Sequence, residues 1–158
     1  MKAFNIDRQD RAILDILQRD GRLAWTALAE RVRLSPTACQ RRVRLLEEAG
    51  VIRGYRADVD LAALGFGVEA FVAVRVERQS PELAAQFREA VTNFDTVQSC
   101  HLLSGDTDFL LRVVAADLAS FSQFIQRELL TLPGIKDASS LIVLETVKDQ
   151  SPVPALTR

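Results

Sequence analysis

The sequence LSPTACQRRVRLL, residues Leu34–Leu46, decides the fold of the N-terminal part of the chain. Ser35 is a suitable N-cap, because its hydroxyl can accept a hydrogen bond from a backbone N–H of the first turn. Pro36 then falls at the first helical position, where its missing N–H costs nothing. Three residues at helical spacing form one apolar stripe: Cys39, Val43 and Leu46. The stretch therefore predicts an amphipathic helix that begins directly after Ser35.

The opposite face of this helix carries side chains that can read DNA. Arg and Gln pair with guanine and adenine edges, and Thr contacts bases or phosphates. The residues on this face are Thr37, Gln40, Arg41 and Arg44. Arg42 lies on the flank, within reach of a phosphate. An ordinary helix with a solvated basic face is the alternative interpretation.

Two further helices are predicted before the basic helix. Asp7 begins the first one, and Asp20–Gly21 ends it, because glycine readily takes the left-handed cap conformation. A short second helix is predicted over Trp25–Val32, capped by Thr26 or by the residues just before it. A short helix, a tight turn and a basic helix form the helix-turn-helix arrangement, which strengthens the DNA interpretation.

A small wing is predicted after the basic helix, which ends at Gly50. The apolar and β-branched residues of Val51–Val59, with Gly54 in the middle, indicate two short extended pieces. Arg53 and Arg56 are candidates for contacts with backbone phosphates, and plain solvation is the alternative for each.

The charge distribution divides the chain into two parts. Residues 1–60 contain 12 Lys and Arg against 9 Asp and Glu, whereas residues 61–158 contain 8 against 12. A net charge of +3 followed by −4 favours a DNA-contacting N-terminal part and an acidic remainder with another role.

Other classes of protein are disfavoured by what the sequence lacks. It shows no apolar run of transmembrane length and no signal-peptide pattern, so a cytosolic protein is expected. Cys39 and Cys100 lie far apart, and His101 is the only histidine, so no zinc site or other metal site is predicted.

After Asp60 the pattern changes to alternating strands and helices. Residues 61–67, with two glycines, are predicted as a linker, and residues 149–158 as a tail. Strands are predicted over 68–77, 97–103, 109–115 and 135–147, the last with a bulge or bend at Ser139–Ser140. Helices are predicted from Ser80 to about Asn93, and from a cap at Asp117 to Pro133.

The order β-α-β-β-α-β is the ferredoxin-like motif, an antiparallel sheet with two helices on one face. The predicted class is therefore α+β. A winged helix-turn-helix domain over residues 1–60 is joined to a C-terminal ferredoxin-like domain over residues 68–148.

The second face of such a sheet needs a cover. Phe71 lies on that face of the first strand, and Leu141–Leu144 is an unbroken apolar run, which suggests burial on both faces. We therefore predict a homodimer formed sheet to sheet, an arrangement that suits helix-turn-helix proteins because they commonly bind DNA as dimers.

Several separate motifs occur together along the chain. They are Asp7–Asp10 with Ile13, Leu14 and Leu17, then Gly21–Arg22, Leu28–Ala29, Leu34–Pro36, Arg42–Arg44 with Leu46–Glu47, Gly50–Ile52 and Ser104–Leu111. With them the chain resembles the Lrp/AsnC family of bacterial and archaeal regulators from about Asp7 to Lys148. Ser104–Asp106 and Glu145–Lys148 look most like its leucine-responsive branch.

The resemblance implies a sequence-specific regulator that binds double-stranded DNA in the cytoplasm, associated with the nucleoid. It implies dimers that commonly assemble to octamers, no cofactor, and a small effector that is expected to be an amino acid. Effector binding would change assembly or operator affinity. The expected DNA-binding residues are Ser35, Thr37, Gln40, Arg41, Arg42, Arg44 and Arg53.

The resemblance places the effector between dimers, near the loop that joins the second and third strands, with the neighbouring dimer contributing residues around 139–143. The expected effector-binding residues are Leu103, Ser104, Gly105, Asp106, Thr107, Asp108, Ser140 and Leu141.

Side-chain chemistry agrees with this placement. Gly105 permits close approach of the backbone, and Asp106 or Asp108 can accept hydrogen bonds from an α-ammonium group. A hydroxyl of Ser104 or Thr107 can hold a carboxylate. An ordinary β-turn is the alternative, and Thr107 departs from the residue that many relatives carry.

An enzyme is the less favoured class. Cys100 and His101 are neighbours on a strand and point to opposite faces, so they form no catalytic dyad. No phosphate loop, GxSxG or HExxH motif occurs, and no catalytic residue is predicted. The main alternative is a siroheme-type tetrapyrrole decarboxylase of the same fold, and a protein-interaction module is a third possibility. The acidic, His-poor C-terminal part argues against the decarboxylase. The Arg41 and Arg44 face argues against the interaction module.

Overall fold

The structure, a computed structural model, describes residues 5–77, 81–149 and 151–154. These residues form two compact units. The first unit contains the described residues up to Asp58 together with those from Lys148 onward, and the second unit is Val59–Val147.

Three helices make up most of the first unit: α1 (Arg8–Leu17), α2 (Trp25–Arg31) and α3 (Pro36–Glu48). The predicted start of α3 is confirmed, because the Ser35 hydroxyl accepts a hydrogen bond from the Ala38 N–H at 3.2 Å. The apolar stripe of α3 is also confirmed: its three members are buried with Ile13 of α1 and Leu28 of α2 in one core.

The chain returns to this unit near its C-terminal end. The Gln18 side-chain amide donates to the Val153 carbonyl oxygen at 3.1 Å, and the Val153 N–H donates to Gln18 Oε1 at 2.7 Å. One side-chain amide thus pairs with both backbone groups of a residue 135 positions later.

The predicted end of the first helix is wrong, and the predicted cap of the second falls on one of its two alternatives. Helix α1 ends at Leu17, and Gly21 does not take a left-handed conformation. Gly21 packs closely against Tyr55 instead: a Cβ there would lie 2.9 Å from Cδ1 of Tyr55, so a larger residue would displace that ring. Of the two alternatives for the start of α2, Thr26 does not cap the helix, since it lies inside the first turn; the N-cap position is Ala24, one of the residues just before it, which makes no side-chain bond.

The predicted wing is not formed as two strands. Residues 53–60 are all described and carry neither helix nor strand. A strand needs a neighbouring strand for its hydrogen bonds, and the described part of the first unit contains only helices and irregular segments. Tyr55 holds this segment instead, because its hydroxyl donates to Glu47 Oε1 at 3.0 Å.

The second unit contains an antiparallel sheet in the order β2-β3-β1-β4. Its strands are β1 (Val68–Val76), β2 (Val97–Leu102), β3 (Phe109–Ala115) and β4 (Ile135–Ile142). Helix α4 (Pro81–Thr92) follows β1, and helix α5 (Leu118–Phe124) follows β3 and continues as a π-helical turn over Ile125–Leu129. This order confirms the predicted ferredoxin-like motif and the α+β class.

The helix-facing side of the sheet is the core of this unit. The predicted alternation of β1 is confirmed, because Ala70, Val72 and Val74 are fully buried in a cluster with Phe87 of α4 and Phe121 of α5. The predicted cap of α5 is confirmed as well: the Asp117 side chain accepts from the Ser120 N–H at 2.7 Å.

The last strand is shorter than predicted, since β4 ends at Ile142 and not at Val147. Among the residues that the structure describes, strand β4 pairs only with β1, and the ladder closes with a bond from the Val143 N–H to the Glu69 carbonyl oxygen at 2.9 Å. Because β1 begins at Val68, it has no further residues with which those after Val143 could pair.

The irregularity predicted in this strand also lies elsewhere. Ser139 and Ser140 pair in regular register with β1, and the shift occurs between Arg75 and Val76. The predicted helix start at Ser80 and part of the predicted tail lie outside the described residues.

Candidate DNA-binding helix and effector loop

The face of α3 opposite the core is exposed and basic. Burial of the apolar stripe fixes the rotation of the helix about its axis. The four side chains predicted to read bases are all exposed: Thr37, Gln40, Arg41 and Arg44. Arg44 lies 3.8 Å from Glu48 one turn later, and such an exposed pair is weak enough to open for another partner.

Ser35 and Arg53 lie beyond the two ends of this helix. Both are exposed, but thirteen helical residues lie between them. At 1.5 Å per residue the two ends are roughly 20 Å apart. The structure therefore does not bring Ser35 and Arg53 together.

Arg42 is engaged inside the first unit. Its Nη1 lies 2.7 Å from Asp7 Oδ2 and 2.8 Å from Asp10 Oδ1. These hydrogen bonds, the one to Asp10 first, raise the pKa of Arg42. Two carboxylates therefore already hold the guanidinium that the sequence assigned to a phosphate.

The same two carboxylates form a capping box at the start of α1. The Asp10 N–H donates to Asp7 Oδ1 at 2.8 Å, and the Asp7 N–H donates to Asp10 Oδ2 at 3.1 Å. The bond from the Asp10 backbone is the largest cause that lowers the pKa of Asp7, and Arg42 lowers it further. The D-x-x-D spacing resembles the capping-box pattern, so the sequence held a signal for this pair.

The turn between α2 and α3 contains an unexpected conformation. Arg33 has a φ of +56°, in the left-handed region. Its N–H donates to the Glu30 carbonyl oxygen at 3.1 Å, and the Leu34 N–H donates to the Ala29 carbonyl oxygen at 2.9 Å. These are the two bonds of a Schellman ending, in which glycine usually takes this position. No sequence signal therefore pointed to Arg33.

The loop between β2 and β3, residues 103–108, is a tight and mostly exposed connection. The Leu103 N–H donates to the Asp108 carbonyl oxygen at 2.8 Å. Gly105 has a φ of +126°, and nothing lies within 4 Å of the place where a Cβ would stand. Backbone conformation, and not lack of space, is what favours glycine there.

Asp108 belongs to the sheet more than to the loop surface. Its Oδ2 accepts from the Val76 N–H at 3.0 Å, and its N–H donates to the Val74 carbonyl oxygen at 3.1 Å. It therefore supports the end of β1, next to the register shift. Asp106 is exposed on the loop, and Ser104 is exposed beside it.

A single chain does not bring Ser140 and Leu141 to this loop. They lie on β4, and β1 and β3 separate β4 from β2. At about 4.8 Å between neighbours, β4 and β2 are roughly 14 Å apart. Ser140 pairs with buried Val72 and Leu141 with Phe71, so the two side chains also belong to opposite faces of the sheet.

The structure offers little for metal or covalent chemistry. Within residues 5–77, 81–149 and 151–154, no three His, Cys, Asp or Glu side chains are grouped to hold a metal ion. Cys100 and His101 pair with successive residues of β3 and so alternate in face. The helices in the same ranges are all too short or too polar to span a membrane.

Both parts of the chain match known families. Residues 6–53 match the winged helix-turn-helix DNA-binding family, and residues 69–153 match the Lrp/AsnC ligand binding domain. The chain is 40% identical over 154 residues to the leucine-responsive regulatory protein of Escherichia coli K12, which covers 98% of this chain and 94% of that protein.

Solved structures agree over nearly the full length. A transcriptional regulator of Neisseria meningitidis, in complex with L-Met, has a TM-score of 0.91 at 37% identity, over 95% of this chain and 97% of that one. An AsnC family transcriptional regulator of Agrobacterium tumefaciens has a TM-score of 0.87 at 40% identity, over 94% of this chain and 96% of that one.

Proposed function

This chain belongs to the Lrp/AsnC family of DNA-binding transcriptional regulators, and we propose that α3 is its recognition helix, placed in the major groove of double-stranded DNA. The relatives are named as regulators, and residues 6–53 match a DNA-binding family. Neither the tetrapyrrole decarboxylase nor the interaction module is therefore favoured.

The division of α3 into two faces carries the proposal. Cys39, Val43 and Leu46 are sealed in the core, so the helix has only one orientation in the unit. The opposite face then presents Arg41 and Arg44 to solvent together. An exposed basic face on a rigid helix meets both needs of a reader: charge for the phosphates and planar donors for guanine edges.

The proposed contacts are divided by type. Arg41, Arg44, Gln40 and Thr37 face the bases, whereas Ser35 and Arg53 contact phosphates near the two ends of the helix. Arg42 is set apart, because its guanidinium is held by Asp7 and Asp10.

Binding to the upstream DNA of the chain's own gene tests this assignment, with random-sequence DNA as competitor. Arg41→Ala and Arg44→Ala should each weaken binding by about 1–3 kcal/mol if the side chain reads a base, and should weaken all sequences equally if it contacts phosphate. Arg127→Ala removes an exposed charge from the second unit and serves as the control. Unchanged affinity in both α3 variants would refute the assigned face.

We further propose that the effector is an amino acid, bound near the loop of residues 103–108. A similar regulator was solved with L-Met, and residues 69–153 match a ligand-binding domain. Asp106 is the exposed carboxylate available for an α-ammonium group, with Ser104 beside it, Gly105 as the close-approach position and Thr107 half-buried behind them. Leu103 supplies apolar surface, Asp108 holds the loop, and Ser140 and Leu141 come from a second copy.

Thermal unfolding with a panel of amino acids, including Leu and Met, tests the effector proposal. A true effector raises the midpoint with concentration, because it binds the folded state only. Asp106→Asn should abolish that rise, and Glu128→Gln, an equal loss of charge on an exposed helical turn, should keep it. A panel without any effect would leave the loop as an ordinary turn.

Assembly and location complete the proposal. The Phe71 and Leu141 face of the sheet joins two copies into a dimer, and the dimers assemble to an octamer that contacts DNA in the cytoplasm, at the nucleoid. Effector binding between dimers alters the assembly or the spacing of the recognition helices, and through it the operator affinity.

A further inference from the structure

We infer that Arg42 is a positioning residue of the DNA-binding unit: it attaches the recognition helix to the capping box of α1 through Asp7 and Asp10, and it does not bind a DNA phosphate. This inference rests on the proposed role of α3 and assigns a use to an arginine that its sequence position alone places among the DNA contacts.

The geometry of the cluster is the first argument. One nitrogen of Arg42 lies 2.7 Å from a carboxylate oxygen of Asp7 and 2.8 Å from one of Asp10. The Arg42 side chain is 25% exposed and that of Asp10 is 8% exposed. Arg41 and Arg44, by contrast, are exposed on the opposite face of the core stripe.

The two acceptors are held by contacts that do not involve the guanidinium. Asp7 and Asp10 exchange backbone-to-side-chain bonds within the first turn of α1, so both carboxylates have defined positions. Two carboxylates this close repel each other, and a cation between them removes that repulsion. The raised pKa of Arg42 and the lowered pKa of Asp7 agree with this arrangement.

Loss of the cation would be strongly unfavourable. Among the described residues Asp10 is the charged residue that is buried, and Arg42 Nη1 lies 2.8 Å from its Oδ1. If Arg42 swung out to a phosphate, a buried carboxylate would lose its charged partner. The ion pair therefore holds α3 at one angle to α1, and with it the direction in which Arg41 and Arg44 project.

The sign of one effect separates positioning from phosphate contact. Asp7→Asn and Asp10→Asn remove negative charge without touching Arg42. If Arg42 bound phosphate, both changes would free it and would strengthen DNA binding or leave it unchanged. If Arg42 positions α3, both changes weaken binding to the upstream DNA, on the order of tenfold for the buried Asp10, as expected for coupled neighbours.

Salt dependence provides the second readout, on the full chain. Arg42→Met should lower affinity while the slope of log affinity against log salt stays at the wild-type value, because no phosphate contact is lost. A lost phosphate contact would reduce that slope by about 0.9. Arg42→Lys should restore part of the affinity, since an ammonium can pair with one of the carboxylates.

Asp10→Asn combined with Arg42→Met completes a double-mutant cycle. We expect the pair to lose less affinity than the two single losses combined, because each change removes the same ion pair. If Asp10→Asn fails to fold, Asp7→Asn gives the same sign test at a half-exposed position, with thermal unfolding as the check on folding.

A reduced salt slope for Arg42→Met, together with unchanged or tighter binding by Asp7→Asn, would overturn the inference. That result differs from failure of the recognition-helix proposal, which shows as full affinity in Arg41→Ala and Arg44→Ala.

Discussion

Arg33 and Gly50 occupy the same position of the same helix ending. After α3, the Gly50 N–H donates to the Glu47 carbonyl oxygen and the Val51 N–H donates to that of Leu46, each at 2.9 Å. Arg33 makes the equivalent pair of bonds after α2. The φ angle is +69° at Gly50 and +56° at Arg33. Both lie in the left-handed region, which a residue with an L side chain enters only with strain.

Exchanging the residue types at these two positions should have opposite effects. We expect Arg33→Gly to raise the free energy of unfolding by about 1 kcal/mol and Gly50→Ala to lower it by about the same amount. The space around Gly50 is open, so the loss reports backbone strain alone. Urea unfolding of both variants is the measurement, and a loss of stability in Arg33→Gly would show that the arginine side chain contributes more than its strain.

Asp7 predicts a defined response to acid. Its folded pKa lies below the ordinary value of 3.8, so the stability it contributes is fully present above that value and disappears as pH falls through the folded pKa. The measurement is the midpoint of thermal unfolding of wild type and of Asp7→Asn at each pH. We expect the difference between the two midpoints to be constant from pH 6 to about pH 5 and to shrink below about pH 4. Asp15→Asn, at an exposed position of α1, is the control. A difference that grows on acidification would contradict this sign.

At the scale of elements, the end of β1 is held by the carboxylate of Asp108. Asp108→Ala removes the acceptor of the Val76 N–H, and loss of such a bond lowers stability by about 1–3 kcal/mol. We expect faster hydrogen exchange at the Val76 amide, whereas Asp108→Asn, which keeps an oxygen, should largely preserve protection. Equal protection in wild type and Asp108→Ala would mean that the amide is held by other contacts.

Elements with a local cause could be predicted from the sequence. Ser35 and Asp117 cap their helices, and the alternation of β1 separates its two faces as the pattern indicated. The errors share a different cause. The wing and the end of β4 depend on whether a partner strand is present, and neither Val51–Val59 nor the residues after Val143 contain that information.

In the candidate site too, the features with a local cause could be predicted from the sequence and those that depend on tertiary packing could not. The exposed face of α3 follows from its apolar stripe, which is a local pattern. The partner of Arg42 does not, because Asp7 lies 35 residues earlier and only tertiary packing brings the two together. Distance in sequence also conceals that Asp108 is engaged by β1.

At the scale of the whole molecule, the uncovered face of the sheet predicts assembly. Phe71 and Leu141 are direct cross-strand neighbours there, and Leu141 is 62% exposed in the single chain. We expect Phe71→Glu to convert the assembly to monomers in light scattering after size exclusion, because it places a charge in the dimer face. Leu118→Glu, at an exposed leucine of α5, should leave the mass unchanged, and an unchanged mass in Phe71→Glu would exclude this face.

The polypeptide passes between its two units twice, after Asp58 and before Lys148. After the second passage, the Gln18 side chain forms two hydrogen bonds with the backbone of Val153. A domain that is joined by one connecting segment can rotate about the single bonds of that segment. A domain that is joined by two connecting segments can make only those movements that both segments allow. The two units of this chain are therefore joined by two connections, and the second of these is anchored at the end of α1 by the side chain of Gln18.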